Sequence, residues 1–214
     1  TVAAADLQSL TDGTTYTITV NVDDAAENSA TADTGDTFVY DITAVITNVV
    51  PSWGTHLNAA EDNADGTIAI TTNGIDNGQT VTATINSVAD SCIISSNTCT
   101  VTVEGTDLRA LTNGNTYTIT VTADDLAGNT ATDTDDTLIY DITAPSISDV
   151  VPSWGTYLNA VEDNSDGTIA ITTSGAEDGQ TVTVTGMGVT DTCSLSSNTC
   201  TVTVAAADLQ ALTD

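Results

Sequence analysis

The side chains able to do chemistry in this 214-residue chain are clustered carboxylates and four cysteines. Asp23 and Asp24 stand in Asp-Asp-Ala-Ala-Glu-Asn, and Asp124 and Asp125 in Asp-Asp-Leu-Ala-Gly-Asn. Glu61 and Glu162 each open a Glu-Asp-Asn-x-Asp-Gly run, and Asp41 and Asp141 sit in Tyr-Asp-Ile-Thr-Ala. Calcium takes oxygen ligands from carboxylates and carbonyls on flexible loops, and it would relieve the repulsion of packing such acids together. The same runs also read as a solvated acidic surface in which Asp and Asn form turns. No segment has the twelve-residue spacing of an EF-hand loop. Cys92 and Cys99 enclose a Ser-Ser-Asn turn, and Cys193 and Cys200 do the same. An even count at repeated spacing predicts a disulfide in each pair, with the sulfurs facing across a hairpin, and hence an oxidising compartment. Two buried free thiols are the alternative. Each bridge would close about eight residues and stabilise by roughly 2–3 kcal/mol.

Other chemistries are poorly supplied. Thirty acidic residues face one basic residue, Arg109, for a formal net charge of -29. Nucleic-acid binding needs Lys and Arg to neutralise phosphates, and anionic membrane surfaces need them too. Neither is an expected partner, and no apolar run has the length of a membrane-spanning helix. Acid–base catalysis usually recruits His or a carboxylate with a shifted pKa. The one histidine, His56, is replaced by Tyr157 in a repeated segment, and the acids lie in solvated loops. The expectation is that the chain is not an enzyme. With 40% hydrophobic residues it is nevertheless apolar enough to build cores, unlike an acidic disordered tail.

The elements that must position these side chains repeat. Val-Val-Pro-Ser-Trp-Gly-Thr occurs with Trp53 and again with Trp154, an offset of 101 residues, and the cysteine pairs recur at the same offset. The segment Ala5-Asp6-Leu7-Gln8 returns at Asp107-Leu108 and at Asp208-Leu209, with one-residue slips near Asp33 and Val45/Pro145. A period this long suits tandem domains rather than a solenoid. Within a period, residues 17–20, 80–85, 100–103, 118–122 and 181–185 alternate Thr with apolar residues, which reads as half-buried antiparallel strand. Asn-Gly and Asp-Gly turns separate them. About seven strands per period fit a Greek-key sandwich. Residues 107–111 read as one helical turn crossing between sheets. Tyr16 and Tyr117 follow that crossing, either as a tyrosine corner or as ordinary strand aromatics.

The phase of the repeat divides the chain into residues 1–44, carrying the last strands of a domain, residues 45–144, a complete domain, and residues 145–214, carrying the early strands of a third. A half sandwich exposes its core face and an unpaired edge. The preferred reading is a window from a longer array. The alternative is strand donation, in which one molecule's residues 13–44 complete another's residues 145–214 in a head-to-tail fibre.

The run Asp124-Asp125-Leu126-Ala127-Gly128-Asn129-Thr130, followed by Tyr140-Asp141-Ile142-Thr143-Ala144-Pro145, resembles the signature of bacterial immunoglobulin-like tandem repeats in giant surface adhesins. Ala206-Ala207-Asp208-Leu209, Tyr157-Leu158-Asn159-Ala160-Val161-Glu162 and Tyr117-Thr118-Ile119-Thr120-Val121 resemble it as well. The resemblance implies all-β, tandem immunoglobulin-like extender domains joined end to end, often with calcium at the linkers. By that analogy calcium ligation falls on Asp41 and Asp141, on Asp23, Asp24, Asp124 and Asp125, and on Glu61 and Glu162. The cysteine pair, the lack of Lys and Val45 in place of Pro145 depart from the pattern. Val45 leaves open whether the two junctions share a geometry.

Trp53 and Trp154 follow a linker, where an indole could wedge into the domain junction or stack on a sugar. The functional expectation is a calcium-stiffened stalk of a secreted bacterial surface protein, with neighbouring repeats or identical subunits as partners. A strand-complemented filament and a carbohydrate-binding module built on the two tryptophans are the alternatives.

Overall fold

A computed structural model describes residues 1–186 and 188–212. The chain forms two compact units, residues 1–142 and 143–214. In the first, a short helix α1 (Ala4–Gln8) precedes strands β1 (Thr14–Val20) and β2 (Asp33–Tyr40). Then come β3 (Val45–Pro51), β4 (His56–Leu57), a 3-10 turn (Glu61–Asn63), β5 (Gly66–Asn73), β6 (Thr80–Ile85), β7 (Val88–Ile93), β8 (Thr98–Val103), α2 (Gly105–Leu108), β9 (Thr116–Asp124) and β10 (Thr130–Tyr140). No described helix is long and apolar enough to cross a membrane.

Strands β3 to β10 make one sandwich. A three-stranded sheet of order β3-β5-β8 packs on a five-stranded sheet of order β4-β10-β9-β6-β7. This is the immunoglobulin-like Greek key, with β4 running parallel to β10 on one edge. The alternation read from the threonines sets its faces: Ile68 and Ile70 of β5, Val81 of β6, Val101 of β8, Ile119 and Val121 of β9 and Leu138 of β10 point into one core. Burying each such side chain stabilises by about 1.5–3 kcal/mol. The hydroxyls of the intervening threonines face outward, where their β-branched stems still favour strand. The sandwich holds eight strands rather than about seven, because the two-residue β4 splits from β3 at the Trp53 turn.

Four particulars fix the sandwich. The Tyr117 hydroxyl accepts the Thr112 amide at 2.8 Å, and Tyr16 accepts that of Thr11 at the same distance, so both are tyrosine corners. Helix α2 begins at Gly105, two residues before the sequence expectation, and glycine is needed there because a Cβ would lie 2.9 Å from the Ala64 carbonyl. Arg109 donates to the Asp62 carbonyl at 2.7 Å, so the one basic residue ties α2 to the 3-10 turn. Cys92–Cys99 bridges β7 to β8 with Cα atoms 5.8 Å apart. It therefore joins the two sheets instead of stapling a hairpin within one, since the chain changes sheet between those strands.

Trp53 is buried in the core against Gly66 and Leu108. A Cβ on Gly66 would lie 2.1 Å from the indole, so glycine is what admits the ring. This replaces both the junction wedge and the sugar platform expected for Trp53.

β1 and β2 pair with each other only, and Tyr16 stacks on Phe38 at 5.6 Å. They match β9 and β10 in sequence, yet among the described residues no sheet covers them. Ile18 and Val20 are 48% and 60% exposed, whereas the matching Ile119 and Val121 are 0% exposed. The second unit has the reverse set. β11 (Ser146–Pro152), β12 (Gly167–Ser174) and β15 (Thr199–Val204) form one sheet, and β13 (Thr181–Gly186) and β14 (Val189–Ser194) another, before α3 (Ala206–Gln210). Cys193–Cys200 again ties sheet to sheet. Trp154 packs on Gly167 and Leu209 but is only half-buried.

The buried Tyr140 hydroxyl donates to Asp62 Oδ2 at 2.6 Å. That bond, together with burial, pushes its pKa up to about 12. A phenol whose folded pKa exceeds its unfolded value near 10 contributes stability that is full below about pH 10 and is lost as pH rises through about 12. Absorbance titration at alkaline pH should show one of the five tyrosines ionising last, together with unfolding. Tyr140→Phe should abolish that late step and lower the melting temperature at neutral pH, because Asp62 then keeps a buried oxygen without its donor.

Candidate metal site at the first linker

The linker leaving β2 meets two loops of the sandwich and the turn before β1. Gly74, at the end of β5, has φ +74°, and a Cβ there would lie 2.0 Å from the Thr43 carbonyl. Glycine is thus required twice, by conformation and by the close approach of the linker. From the β9–β10 turn, the Asn129 side-chain amide donates to the Asp41 carbonyl at 3.1 Å and to Asp125 Oδ2 at 2.7 Å. From the β5–β6 loop, Asp76 Oδ2 accepts the Leu126 amide at 3.0 Å. From the turn before β1, Asp12 accepts the Ile42 amide at 2.8 Å and the Thr43 hydroxyl.

Four carboxylates therefore gather around one short linker: Asp12, Asp41, Asp76 and Asp125. Asp12, Asp41 and Asp76 line an open cleft with Asn73, Asn77 and Asn97. The hydrogen bonds from Thr43 and Ile42 hold the Asp12 carboxyl below its ordinary range, although the Asp125 charge acts the other way. Burial pushes Asp125 up, but bonds from the Asn129 side chain and from the Asn129, Gly128 and Ala127 amides outweigh it and lower its pKa. Both acids are ionised at neutral pH, and like charges so placed call for a cation or for salt. The donors are all oxygen, which fits calcium. Among the described residues, no three His, Cys, Asp or Glu side chains already converge on one point as a metal cage.

The other expected ligands lie elsewhere. Glu61 accepts the Asn58 amide at 3.1 Å, while Asn58 Oδ1 accepts the Ala60 and Glu61 amides, so the pair caps the 3-10 turn. Glu162 and Asn159 repeat this device. Glu61 precedes β5 and the linker cluster follows it, a separation of about 25 Å for eight strand residues. Asp124 accepts the Thr130 hydroxyl at 2.6 Å, on the flank of the turn. Asp141 follows Tyr140, its amide donating to the Leu57 carbonyl at 3.0 Å. Asp23 pairs with Ser29 in a bridge, and Asp24 accepts the Ala26 and Asn28 amides and the Asn28 side chain, closing the β1–β2 turn. Asp125 and Asn129 close the β9–β10 turn in the same manner.

Of the four acids at the linker, the sequence singled out Asp41 and Asp125 and not Asp12 or Asp76. Asp76 sits in Asp-Asn-Gly, which reads as an ordinary turn. The available signal for Asp12 was that the matching residue is Asn113, which accepts the Ile142 amide at 2.9 Å without a charge. Within the second unit, a Cβ on the matching Gly175 would meet the Pro145 Cα at 3.7 Å.

No protein-family model matches this chain, and no curated protein does. Several solved structures are similar. A 1.5-MDa bacterial ice-binding adhesin shares 27% identity over 97% of this chain and 68% of its own, with a TM-score of 0.43. A Ca2+-stabilised adhesin with which an Antarctic bacterium binds ice shares 28% over 98% of this chain and 52% of its own, at 0.42. A bacterial immunoglobulin-like domain from the M. primoryensis ice-binding adhesin shares 31% over 46% of this chain and 96% of its own, at 0.35.

Two outcomes follow for the linker. Gly74→Ala should destabilise the first unit and speed proteolysis at residues 41–44, with a milder effect for Gly175→Ala on the second unit. Asp125 has a depressed folded pKa, so its stabilisation is present above the unfolded value near 4 and is lost as pH falls through the folded one. Asn129→Ala should remove the principal donor, raise the Asp125 pKa in an NMR titration and shift acid unfolding to higher pH.

Proposed function

We propose that this chain is a spacer segment in the stalk of a secreted bacterial adhesin, its first linker stiffened by calcium. The observation that carries the reading is the gathering of Asp12, Asp76 and Asp125, from three separate turns, around Asp41 of the linker. Each lies on a different loop, so an ion shared among them would fix those loops, and the linker with them, against one another. The repeat supports a mechanical role: near-identical sandwiches in series add reach without adding recognition. Two intersheet disulfides suit an oxidising, extracellular setting. One of the similar adhesins is itself described as Ca2+-stabilised. The reading assigns no catalytic step to any residue. Asp41 and Asp125 are the proposed ligands kept from the wider sequence set, joined by Asp12 and Asp76. Asp23, Asp24, Asp124, Asp141, Glu61 and Glu162 serve turns, caps and flanks in this arrangement.

Calorimetric titration of the full chain with calcium, against a magnesium control, tests this directly. The expected result is calcium-selective binding, a raised melting temperature and a weakening on the order of tenfold in Asp41→Asn and Asp125→Asn, each of which removes one ligand charge. Equal response to both ions, or binding indifferent to these substitutions, would leave the acids as a solvated surface.

A further inference from the structure

We infer that the Asn73–Gly74 peptide is a site of spontaneous deamidation, and that the aspartate formed there adds a carboxylate to the linker cleft. The modification stands on the geometry of that peptide alone, while its effect on calcium rests on the linker reading.

The chain contains three Asn-Gly pairs, at Asn73, Asn77 and Asn113. Glycine has no side chain to shield its own backbone nitrogen, so in each pair that nitrogen can reach the preceding carboxamide carbon. The nitrogen gives up its proton and bonds to Cγ, the Cγ–Nδ2 bond breaks, and ammonia leaves a cyclic imide. Water then adds to the imide and opens it to aspartate or isoaspartate. A water enters and an ammonia departs, with no oxidant and no enzyme.

Folding restrains two of the three pairs. At Asn77 the carboxamide oxygen accepts the Ser96 amide at 2.7 Å, and the Gly78 nitrogen donates to the Ile94 carbonyl at 2.9 Å. At Asn113 the oxygen accepts the Ile142 amide at 2.9 Å, and the Gly114 nitrogen donates to the Tyr140 carbonyl at 2.7 Å. Both reacting groups are held in each case, and attack needs both bonds broken together. The repeat uses these two positions as acceptors: Asp12 matches Asn113 and Asp178 matches Asn77, and their carboxylates take the corresponding amides of Ile42 and Ser197.

Asn73 is different. Its side chain is exposed, and among the described residues neither its carboxamide nor the Gly74 nitrogen has a hydrogen-bond partner. The matching residue is Ser174, so the repeat demands no amide at this position. What restrains Asn73 is the ladder: it is the last residue of β5 and pairs with Val45, the first of β3. Attack requires its backbone to turn out of the extended form, which breaks the terminal rung and leaves the rest of the sheet in place. Such fraying opens at far lower free energy than the core strands do.

The product lands among acids. Asn73 lines the cleft with Asp12, Asp41 and Asp76. A carboxylate in place of its neutral amide gives that cleft one more charged oxygen ligand, and calcium affinity is set in large part by ligand charge. The cleft therefore gains affinity as the protein ages.

Ageing of the folded full chain at mildly alkaline pH, with each Asn-Gly pair followed in peptic peptides by mass spectrometry, tests the site. Asn73 should convert at least about tenfold faster than Asn77 or Asn113, because only its attack proceeds by local fraying. In the reduced chain in denaturant the three rates should converge, since folding alone separates them. A folded chain in which Asn73 is no faster than the other two, including one in which none reacts, would overturn the modification. Calcium titration of Asn73→Asp tests the consequence, with tightening on the order of tenfold over the unaltered chain expected. Unchanged or weaker affinity, where the unaltered chain binds calcium, overturns the gain of a ligand. Absence of calcium binding by both forms overturns that consequence together with the linker reading, while the position-resolved rates still decide the modification.

Discussion

Closure of one β-sheet over another is the constraint on which this structure depends. A strand that alternates threonine with an aliphatic residue has half a core, and it is stabilised only when a second sheet removes that half from water. The chain shows the same strand in both states. β9, under the β3-β5-β8 sheet, hides Ile119 and Val121 completely, while β1, with the same spacing, leaves Ile18 and Val20 in solvent. Local features cannot compensate. The tyrosine corner is intact in both places, with identical donor distances, so it orders the crossover without supplying a core. The intersheet disulfides act on the same problem from outside: Cys92–Cys99 and Cys193–Cys200 each tie one sheet to the other.

The acidity is reconciled with this core by position. Carboxylates occupy turns, strand ends and the irregular stretch of β10 at Asp133, Asp135 and Asp136, while β5, β6 and β8 carry no charge. Asp62 is the instructive exception. It is buried, and it is tolerated because Tyr140 donates to its carboxylate while Arg109 engages its carbonyl. The one cation of the chain is thereby used to dock α2. The first linker is the converse case, with four acids drawn together by the loops they close and with only neutral amides and a hydroxyl as partners.

The fold was legible in the sequence because its determinants are local. Threonine alternation, Asn-Gly turns and a 101-residue offset specify strands, hairpins and phase without knowledge of neighbours. The helix start at Gly105 and the eighth strand β4 were not legible, since both depend on backbone approach from distant residues. Trp53 was misplaced for a related reason: the glycine that admits its indole lies thirteen residues away, at Gly66. Of the linker acids, Asp41 and Asp125 stood out by their recurrent motifs. Asp12 bonds the linker across 30 residues and Asp76 bonds the β9–β10 turn across 50, relations that no spacing rule in one sequence reveals.

Hydrogen exchange read by mass spectrometry on the dilute full chain tests the dependence on sheet closure most directly. β9 and β1 share sequence pattern, turn chemistry and corner, and the amides to compare are those that bond to β10 and to β2, because β9 alone has a second hydrogen-bonded neighbour, β6. The amides of β9 should be protected at least about a hundredfold more than those of β1, since core strands open only with global unfolding. Equal protection of the two strands in dilute solution would contradict the account, because order in β1 would then not require an opposing sheet.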